Sequence, residues 1–248
     1  MKKTIVVWFS CGAASAVAAK KTIEIYSKDF NVRVVNTPVK EEHEDNRRFL
    51  KDVEKWIGQK IEIATNSKFP SNSIIDVFNE SKYMSGNAGA PCTVALKKEA
   101  RYLWEANNEF EFLVLGYTLE EKKKRHDKFI LSERENLLPV LIDLGLTKND
   151  CFKILEEARV RLPEIYSIGF PNANCIGCVK ASSPTYWNLV REKFPEVFKQ
   201  RAEQSREIGC KLTRVKGKRI FLDELSLSAK GNKLKNYIDC GIFCEGAK

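Results

Sequence analysis

The first apolar stretch of the chain is Ile5, Val6, Val7, Trp8 and Phe9, an unbroken run of strand length that passes directly into small residues, Ser10 to Ala13. A continuous run without alternation predicts a strand buried on both faces. Over 14–26 the period changes: Val17, Ile23 and Ile25 fall at helical spacing, with Lys20, Lys21 and Glu24 on the other side. The same exchange repeats downstream. A second strand is predicted over 32–36, then an amphipathic helix over 41–57 carrying Phe49, Leu50, Val53 and Trp56 and closed by Gly58. A third strand at 61–64 precedes a short helix at 73–79, a glycine-rich loop over 85–91, and a helix over 93–107 with Thr93 as N-cap. A fourth strand spans 110–117. A charged helix or loop at 120–135 leads to a fifth strand at 137–142, and Thr147 caps a helix over 148–159.

Strands that alternate with helices form βαβ units, so the expected fold is α/β: a doubly wound, mostly parallel sheet. Ligands of such sheets bind beyond the carboxyl ends of the strands. Ser10–Ala13, Asn36-Thr37, Cys92-Thr93 and Gly116-Tyr117 are therefore expected to face one crevice. The pattern changes near Pro163. Beyond it come a cysteine pair, helices at 185–194 and 195–208, a basic strand-like stretch at 212–222 and a cysteine-bearing tail. The expected division is a nucleotide-binding α/β domain at 1–162 and a small helical, cysteine-bearing subdomain at 163–248. No internal repeat or low-complexity linker is evident.

Composition narrows the classes. No apolar run approaches the roughly 18 residues of a membrane helix, and the N-terminal run is too short for a signal peptide. A cytosolic protein with no membrane partner is expected. The formal charge of +9 has two readings, a generally basic surface or an anionic partner such as a nucleotide or nucleic acid. The eight cysteines are Cys11, Cys92, Cys151, Cys175, Cys178, Cys210, Cys240 and Cys244. Cytosolic chains of this size rarely carry a disulfide framework, so clustered cysteines point to metal or cluster ligands. His43 and His126 are too scattered for a histidine site.

The candidate chemistry begins at Ser10-Cys11-Gly12-Ala13-Ala14-Ser15, between a strand and a helix. Small residues admit an anion close to the backbone, and the amides and dipole of a helix start favour phosphate. Ser10 and Ser15 add hydroxyls. A tight turn packed by small residues is the alternative reading. The segment resembles the PP-loop, S-G-G-x-D-S, of the ATP pyrophosphatase superfamily: Ser10, Gly12 and Ser15 match, Cys11 replaces the first Gly and Ala14 replaces the Asp.

Further motifs follow in order: Gly89-Ala90-Pro91-Cys92-Thr93 with Leu96-Lys97, Leu115-Gly116-Tyr117-Thr118 with Glu120-Glu121, Asn174-Cys175-Ile176-Gly177-Cys178-Val179-Lys180, and Phe221-Leu222-Asp223-Glu224-Leu225. Over nearly the whole chain this set resembles the phosphoadenosine phosphosulfate (PAPS) reductase-like proteins often carried by bacteriophages. The resemblance implies an adenine-nucleotide α-hydrolase fold binding ATP or a PAPS-like nucleotide, with Mg as the accompanying ion. It further implies adenine or ribose contacts at Asn36 and Thr37 and a phosphate or sulfate contact at Arg125. Lys97, one turn into a helix after the glycine-rich loop, is placed to reach a phosphate and is the candidate catalytic lysine. On the residues alone, Lys97 and Arg125 read equally well as solvated charges. Reductases proper end in Glu-Cys-Gly-Leu-His, whereas this tail reads Asp239-Cys240-Gly241-Ile242-Phe243-Cys244.

Cys175-x-x-Cys178 places two thiols on one turn, a spacing common to zinc and iron–sulfur sites. Cys240-x-x-x-Cys244 supplies a second pair. Resemblance to the assimilatory adenylylsulfate reductases implies a 4Fe–4S cluster held by Cys92, Cys175, Cys178 and Cys244, with Cys240 as alternative fourth ligand. The competing arrangement is a structural zinc on Cys175, Cys178, Cys240 and Cys244. Separate cysteines that pack as small hydrophobes are the plain alternative. Cys151 reads as packing and Cys210 shows no partner. Tyr186 and Trp187 read as core or as stacking platforms for a base beside Lys180, Arg191 and Lys193.

The leading expectation is a nucleotide-activating enzyme acting in sulfur transfer or adenylation of a nucleic acid, nucleotide or small acceptor. A true sulfonucleotide reductase with Cys244 or Cys240 as nucleophile is the second, and a non-catalytic nucleotide-binding module, motivated by Ala14, the third. A homodimer is the expected assembly beyond the monomer.

Overall fold

The computed structural model describes residues 2–87 and 89–231; Cys240 and Cys244, and the expectations placed on them, lie outside the described residues. The first half of the chain forms β1 (Thr4–Phe9), α1 (Ala13–Tyr26), β2 (Asn31–Asn36), α2 (Asn46–Ile57), β3 (Glu62–Ile63), α3 (Ile74–Ser81), α4 (Pro91–Thr93), α5 (Glu99–Ala106) and β4 (Phe112–Val114). The second forms α6 (Asp127–Ser132), β5 (Leu137–Leu138), α7 (Val140–Asp143), α8 (Lys148–Glu157), α9 (Glu164–Ser167), α10 (Pro184–Lys193), α11 (Pro195–Ile208), β6 (Thr213–Val215) and β7 (Lys218–Ile220). Among the described residues no helix is long and apolar enough to cross a membrane.

The chain divides into two compact units. The first comprises Met1–Pro38, Glu44–Thr65 and Ala100–Glu164; the second comprises Val39–His43, Asn66–Glu99 and Ile165–Lys248. The second unit thus draws on two excursions from the N-terminal half as well as on the C-terminal part.

The first unit holds a five-stranded sheet in the order β3-β2-β1-β4-β5, with every pairing parallel. This is the expected α/β fold. Ile5, Val7 and Phe9 point into a cluster with Val17, Val34, Phe49, Val53, Leu141 and Leu155. On the opposite face Trp8 meets Trp104 edge-on at 5.4 Å. Both faces of β1 are covered, which is why its sequence is apolar without alternation.

The expected strand at 137–142 is corrected: only Leu137–Leu138 is strand, and Val140–Asp143 is helix. A buried helical turn and a buried strand share the same unbroken apolar signature, and Pro139, which brings no N–H to a ladder, ends the pairing. The helix expected over 41–57 begins at Asn46. Just before it, Asp45 accepts both Arg48 Nε and Nη2 at 2.6 Å and the Glu164 amide at 2.8 Å. Arg48 in turn donates to the carbonyls of Arg161 and Leu162 at 3.0 Å. This lattice fixes the start of α2 to the segment that follows α8.

The second unit is built on a separate apolar cluster that includes Phe78, Tyr186, Trp187, Val190, Phe198 and Leu212. Trp187 is fully buried and donates Nε1–H to the Ala181 carbonyl at 2.6 Å. Tyr186 is buried as well, so both aromatics are core. The basic stretch at 212–222 resolves into the antiparallel hairpin β6–β7. Its turn places Lys216 and Gly217 at φ 47° and 82°, the left-handed pair that suits the twist of a tight hairpin.

Candidate functional site

In the first unit, strand order reverses between β1 and β4, whose carboxyl ends carry Ser10–Gly12 and Leu115–Tyr117. Such a switch point opens a crevice for ligands. The loop after β1 is held from within. The Ser15 hydroxyl donates to the Gly12 carbonyl at 2.9 Å and accepts the Ser10 amide at 3.1 Å and the Ser10 hydroxyl at 3.2 Å. Ser15 is buried, so its role is to shape the loop, a role its position in the motif does not reveal.

Cys11 adopts φ 55°, a left-handed conformation that burdens any side chain by about 1 kcal/mol or more. The motif it resembles has glycine there, and the backbone gives the reason. Asn36 donates Nδ2–H to the Phe9 carbonyl at 2.7 Å, with the Cys11 sulfur 3.7 Å away. Asn36 and Thr37 are both buried at the end of β2. The first turn of α1 contains no acidic residue, consistent with Ala14 in place of Asp, so its partial positive charge is not offset locally.

Gly116 closes this site. A Cβ at that position would fall 2.7 Å from the Ser15 nitrogen and 2.8 Å from its Cα. The end of β4 therefore lies directly against the first turn of α1, and a side chain cannot be inserted. Tyr117 is buried, with the Arg125 guanidinium 4.7 Å from its ring centroid. Arg125 also donates to Glu121 at 2.6 Å. Nearby, burial lowers the Lys148 ammonium from its ordinary value despite Glu121 and Glu120. Burial likewise pushes the Cys151 thiol up to about 12, which makes it the inert packing residue expected.

In the second unit, Lys97 lies in a π-turn, Val94–Lys98, immediately after α4. Its side chain is buried and donates to Glu42 Oε1 at 3.0 Å. Glu41, beside it, accepts the Ser73 hydroxyl at 2.5 Å and the Ile74 amide at 3.0 Å, a carboxylate at the start of α3. These acidic partners were invisible in the sequence because their contacts bridge more than thirty positions.

The cysteine pair sits on a turn made by Gly177 at φ 69°. The Cys178 amide donates to the Tyr186 hydroxyl at 2.8 Å, and that hydroxyl donates to the Cys175 carbonyl at 3.5 Å. Burial drives the Tyr186 phenol well above its usual value, with Cys178 adding to the effect. Tyr186 thus clamps the Cys-x-x-Cys turn as a neutral hydroxyl. Cys175 and Cys178 belong to the unit's apolar cluster, and Cys92 packs against it. A shallow cleft lined by Phe170, Asn172, Asn174, Ile176 and Tyr186 reaches Cys175.

Arg201 on α11 is the residue sequence reasoning missed. It is fully buried, and its electrostatic neighbours are Glu41, Cys175, Cys92 and Tyr186. Among the described residues its Nε and Nη2 have no hydrogen-bond partner, and neither does the buried hydroxyl of Thr93. A signal existed in the helical spacing of Phe198, Arg201, Ala202 and Ser205, which puts an arginine on the buried side of its helix. Among the described residues no three His, Cys, Asp or Glu side chains are grouped to hold a metal ion. Cys175 and Cys178 lie in the same apolar cluster that Cys92 packs against, and Cys175 and Cys92 are both electrostatic neighbours of the buried Arg201 guanidinium.

No family model and no curated protein matches the chain. Among solved structures it is similar to the U34-tRNA thiolase NcsA from Methanococcus maripaludis with its 4Fe–4S cluster, at 12% identity and a TM-score of 0.50, covering 98% of this chain and 84% of that one. It is also similar to the phosphoadenylyl-sulfate (PAPS) reductase from Candida auris in its phosphate complex, at 8% identity and a TM-score of 0.47, covering 69% of this chain and 80% of that one. The former likeness establishes a shared α/β fold.

Proposed function

We propose that the chain is a nucleotide-activating enzyme in which the loop between β1 and α1 holds the phosphates of ATP and the cysteines of the second unit serve sulfur delivery. The observation that carries this reading is the first turn of α1: a left-handed Cys11, an uncapped Gly12, no local carboxylate, and Gly116 pressed against Ser15. That arrangement presents backbone amides to an anion and leaves no room for side chains. A carbonyl oxygen of the acceptor attacks the α-phosphorus. The new P–O bond forms as the bond to the β-phosphate breaks, and pyrophosphate leaves. Sulfur at the hydrosulfide level, from an external sulfide donor, then attacks the activated carbon. AMP departs and a proton is released, with no net oxidation.

Cys92, Cys175 and Cys178 would hold an iron–sulfur group, and with these three thiolates alone it would supply one open iron for carrying sulfide. A fourth ligand from the tail (Cys244, or Cys240) would close that position. Tyr186 orients the turn that bears two of these thiols, and the apolar cluster around it excludes water.

The hairpin β6–β7 favours a polyanionic acceptor such as a nucleic acid. Lys211, Arg214, Lys216, Lys218 and Arg219 are exposed, and Arg214 stands directly opposite Arg219. Like charges paired across strands oppose folding, and none of the five makes an ion pair among the described residues. A phosphate backbone relieves that repulsion.

The deciding assay is pyrophosphate release from ATP with RNA fragments, nucleotides and sulfide as co-substrates, run beside sulfite release from PAPS with thioredoxin. Acceptor-dependent pyrophosphate supports the proposal. Sulfite without pyrophosphate replaces it with the reductase, and tight ATP binding with no turnover replaces it with a binding module.

A further inference from the structure

The second unit buries a cation whose hydrogen bonds are incomplete. Arg201 is 0% exposed. Its Nη1 donates to Gln204 Oε1 at 2.5 Å, while Nε and Nη2 find no acceptor among the described residues. Gln204 cannot turn to serve them, because its own amide is engaged by the Ile75 carbonyl at 3.2 Å and Asn79 at 2.8 Å. The Phe78 ring, 5.5 Å from the guanidinium carbon, covers another side. Glu41 is the strongest opposite charge acting on it, but among the described residues no hydrogen bond joins the two; the Glu41 oxygens accept from Ser73 and Ile74 at the start of α3. A charged group held out of water with donors unmet is strongly disfavoured unless something anionic completes it.

What lies against those donors is the cysteine turn. A Cβ on Gly177 would stand 3.8 Å from Arg201 Nε, so the guanidinium packs under the Cys175–Cys178 turn. Glycine at 177 both permits the left-handed turn and lets the arginine approach. Cys175 and Cys92 are the thiols within electrostatic reach.

We propose that Arg201 is the built-in counter-charge of the cysteine site: a positioning residue whose Nε–H and Nη2–H donate to anionic sulfur in the group held by Cys92, Cys175 and Cys178. This rests on the reading of those cysteines as ligands but not on ATP chemistry. A cation that donates to the sulfurs of a cluster stabilises its more negative, reduced state, so removing it lowers the reduction potential.

The test is anaerobic reconstitution of the full chain with iron and sulfide. Arg201→Met and Arg201→Lys are compared with the parent for iron per chain and for reduction potential followed by electron paramagnetic resonance. Arg201→Met is expected to lose at least half its iron or to titrate at a more negative potential, and Arg201→Lys to recover part of either. Equal iron and equal potential in Arg201→Met, with unchanged thermal unfolding, overturns the proposal. Should Arg201→Met not fold, Arg201→Lys and Arg201→Gln are compared; a deficit confined to Gln supports the counter-charge, and equality overturns it. A parent chain that takes up no iron defeats the cluster reading separately. In that event cadmium binding, read by its thiolate absorption, decides on Arg201: affinity at least tenfold weaker in the variant supports the proposal, and equal affinity overturns it.

Discussion

Replacing Gly116 by alanine tests the nucleotide site with one methyl group. The added carbon would lie 2.7 Å from the Ser15 nitrogen, 2.8 Å from Ser15 Cα and 3.0 Å from the Ala14 carbonyl carbon, where ordinary contact begins at 3.4 Å. All three obstacles are backbone, so no side chain can swing away. The shortfall between 3.4 and 2.7 Å means that the end of β4 and the start of α1 must part by about 0.7 Å. The bonds that shape the loop, Ser10 N to Ser15 Oγ at 3.1 Å and Ser10 Oγ to Ser15 Oγ at 3.2 Å, have little room for such a shift. Overpacking of this kind costs about 1–3 kcal/mol of stability, which lowers the melting temperature by about 2–4 °C per kcal/mol in a chain of this size. Misplacing one amide that donates to phosphate costs about 1.5–3 kcal/mol of binding. Isothermal titration with ATP should therefore show affinity weakened by roughly ten- to a hundredfold. Gly58→Ala is the control. That glycine has φ 76° and open space around its Cα, so alanine there strains the backbone by about 1 kcal/mol and should leave ATP affinity unaltered. If Gly116→Ala binds ATP within twofold of the parent, the phosphate does not sit at this helix start.

Three further outcomes are expected. Cys11→Gly should be more stable than Cys11→Ala by about 1 kcal/mol in chemical denaturation, because both delete the thiol but only glycine relieves the left-handed strain; equal stabilities would contradict the φ of 55°. The hydrogen bonds from Arg48 hold the Asp45 carboxyl below its ordinary value. Its contribution is therefore complete above the unfolded value of about 3.9 and lost as pH falls through the folded one. Melting curves from pH 6 down to about 3 should show the parent losing its advantage over Asp45→Asn below about pH 4, and a gap independent of pH would refute this. Replacing Arg214, Lys216 and Arg219 together by alanine should weaken binding to single-stranded RNA and reduce the slope of log K against log salt by about 2, near 0.7 per charge; an unchanged slope would remove the hairpin from the interface.

Local periodicity was enough to place the elements whose faces are covered. The apolar run from Ile5 to Phe9 and the helix after it required a buried strand feeding a tight turn of small residues, because only covered faces tolerate such a run. Why Cys11 and Gly116 stand where they do came from the backbone: one is left-handed and the other lies against Ser15. The run at 137–142 was not legible, since burial erases the difference between strand and helical periods. The tertiary structure decided the partners. Ser15 holds Gly12 and Ser10, Lys97 finds Glu42 across fifty-five positions, and Tyr186 clamps the cysteine turn. Arg201 gains its meaning only when folding removes water from around it and brings Cys175 and Cys92 within reach. Short-range steric rules are written in neighbouring residues. Charge and hydrogen-bond complementarity between distant segments exists only once the chain has closed on itself.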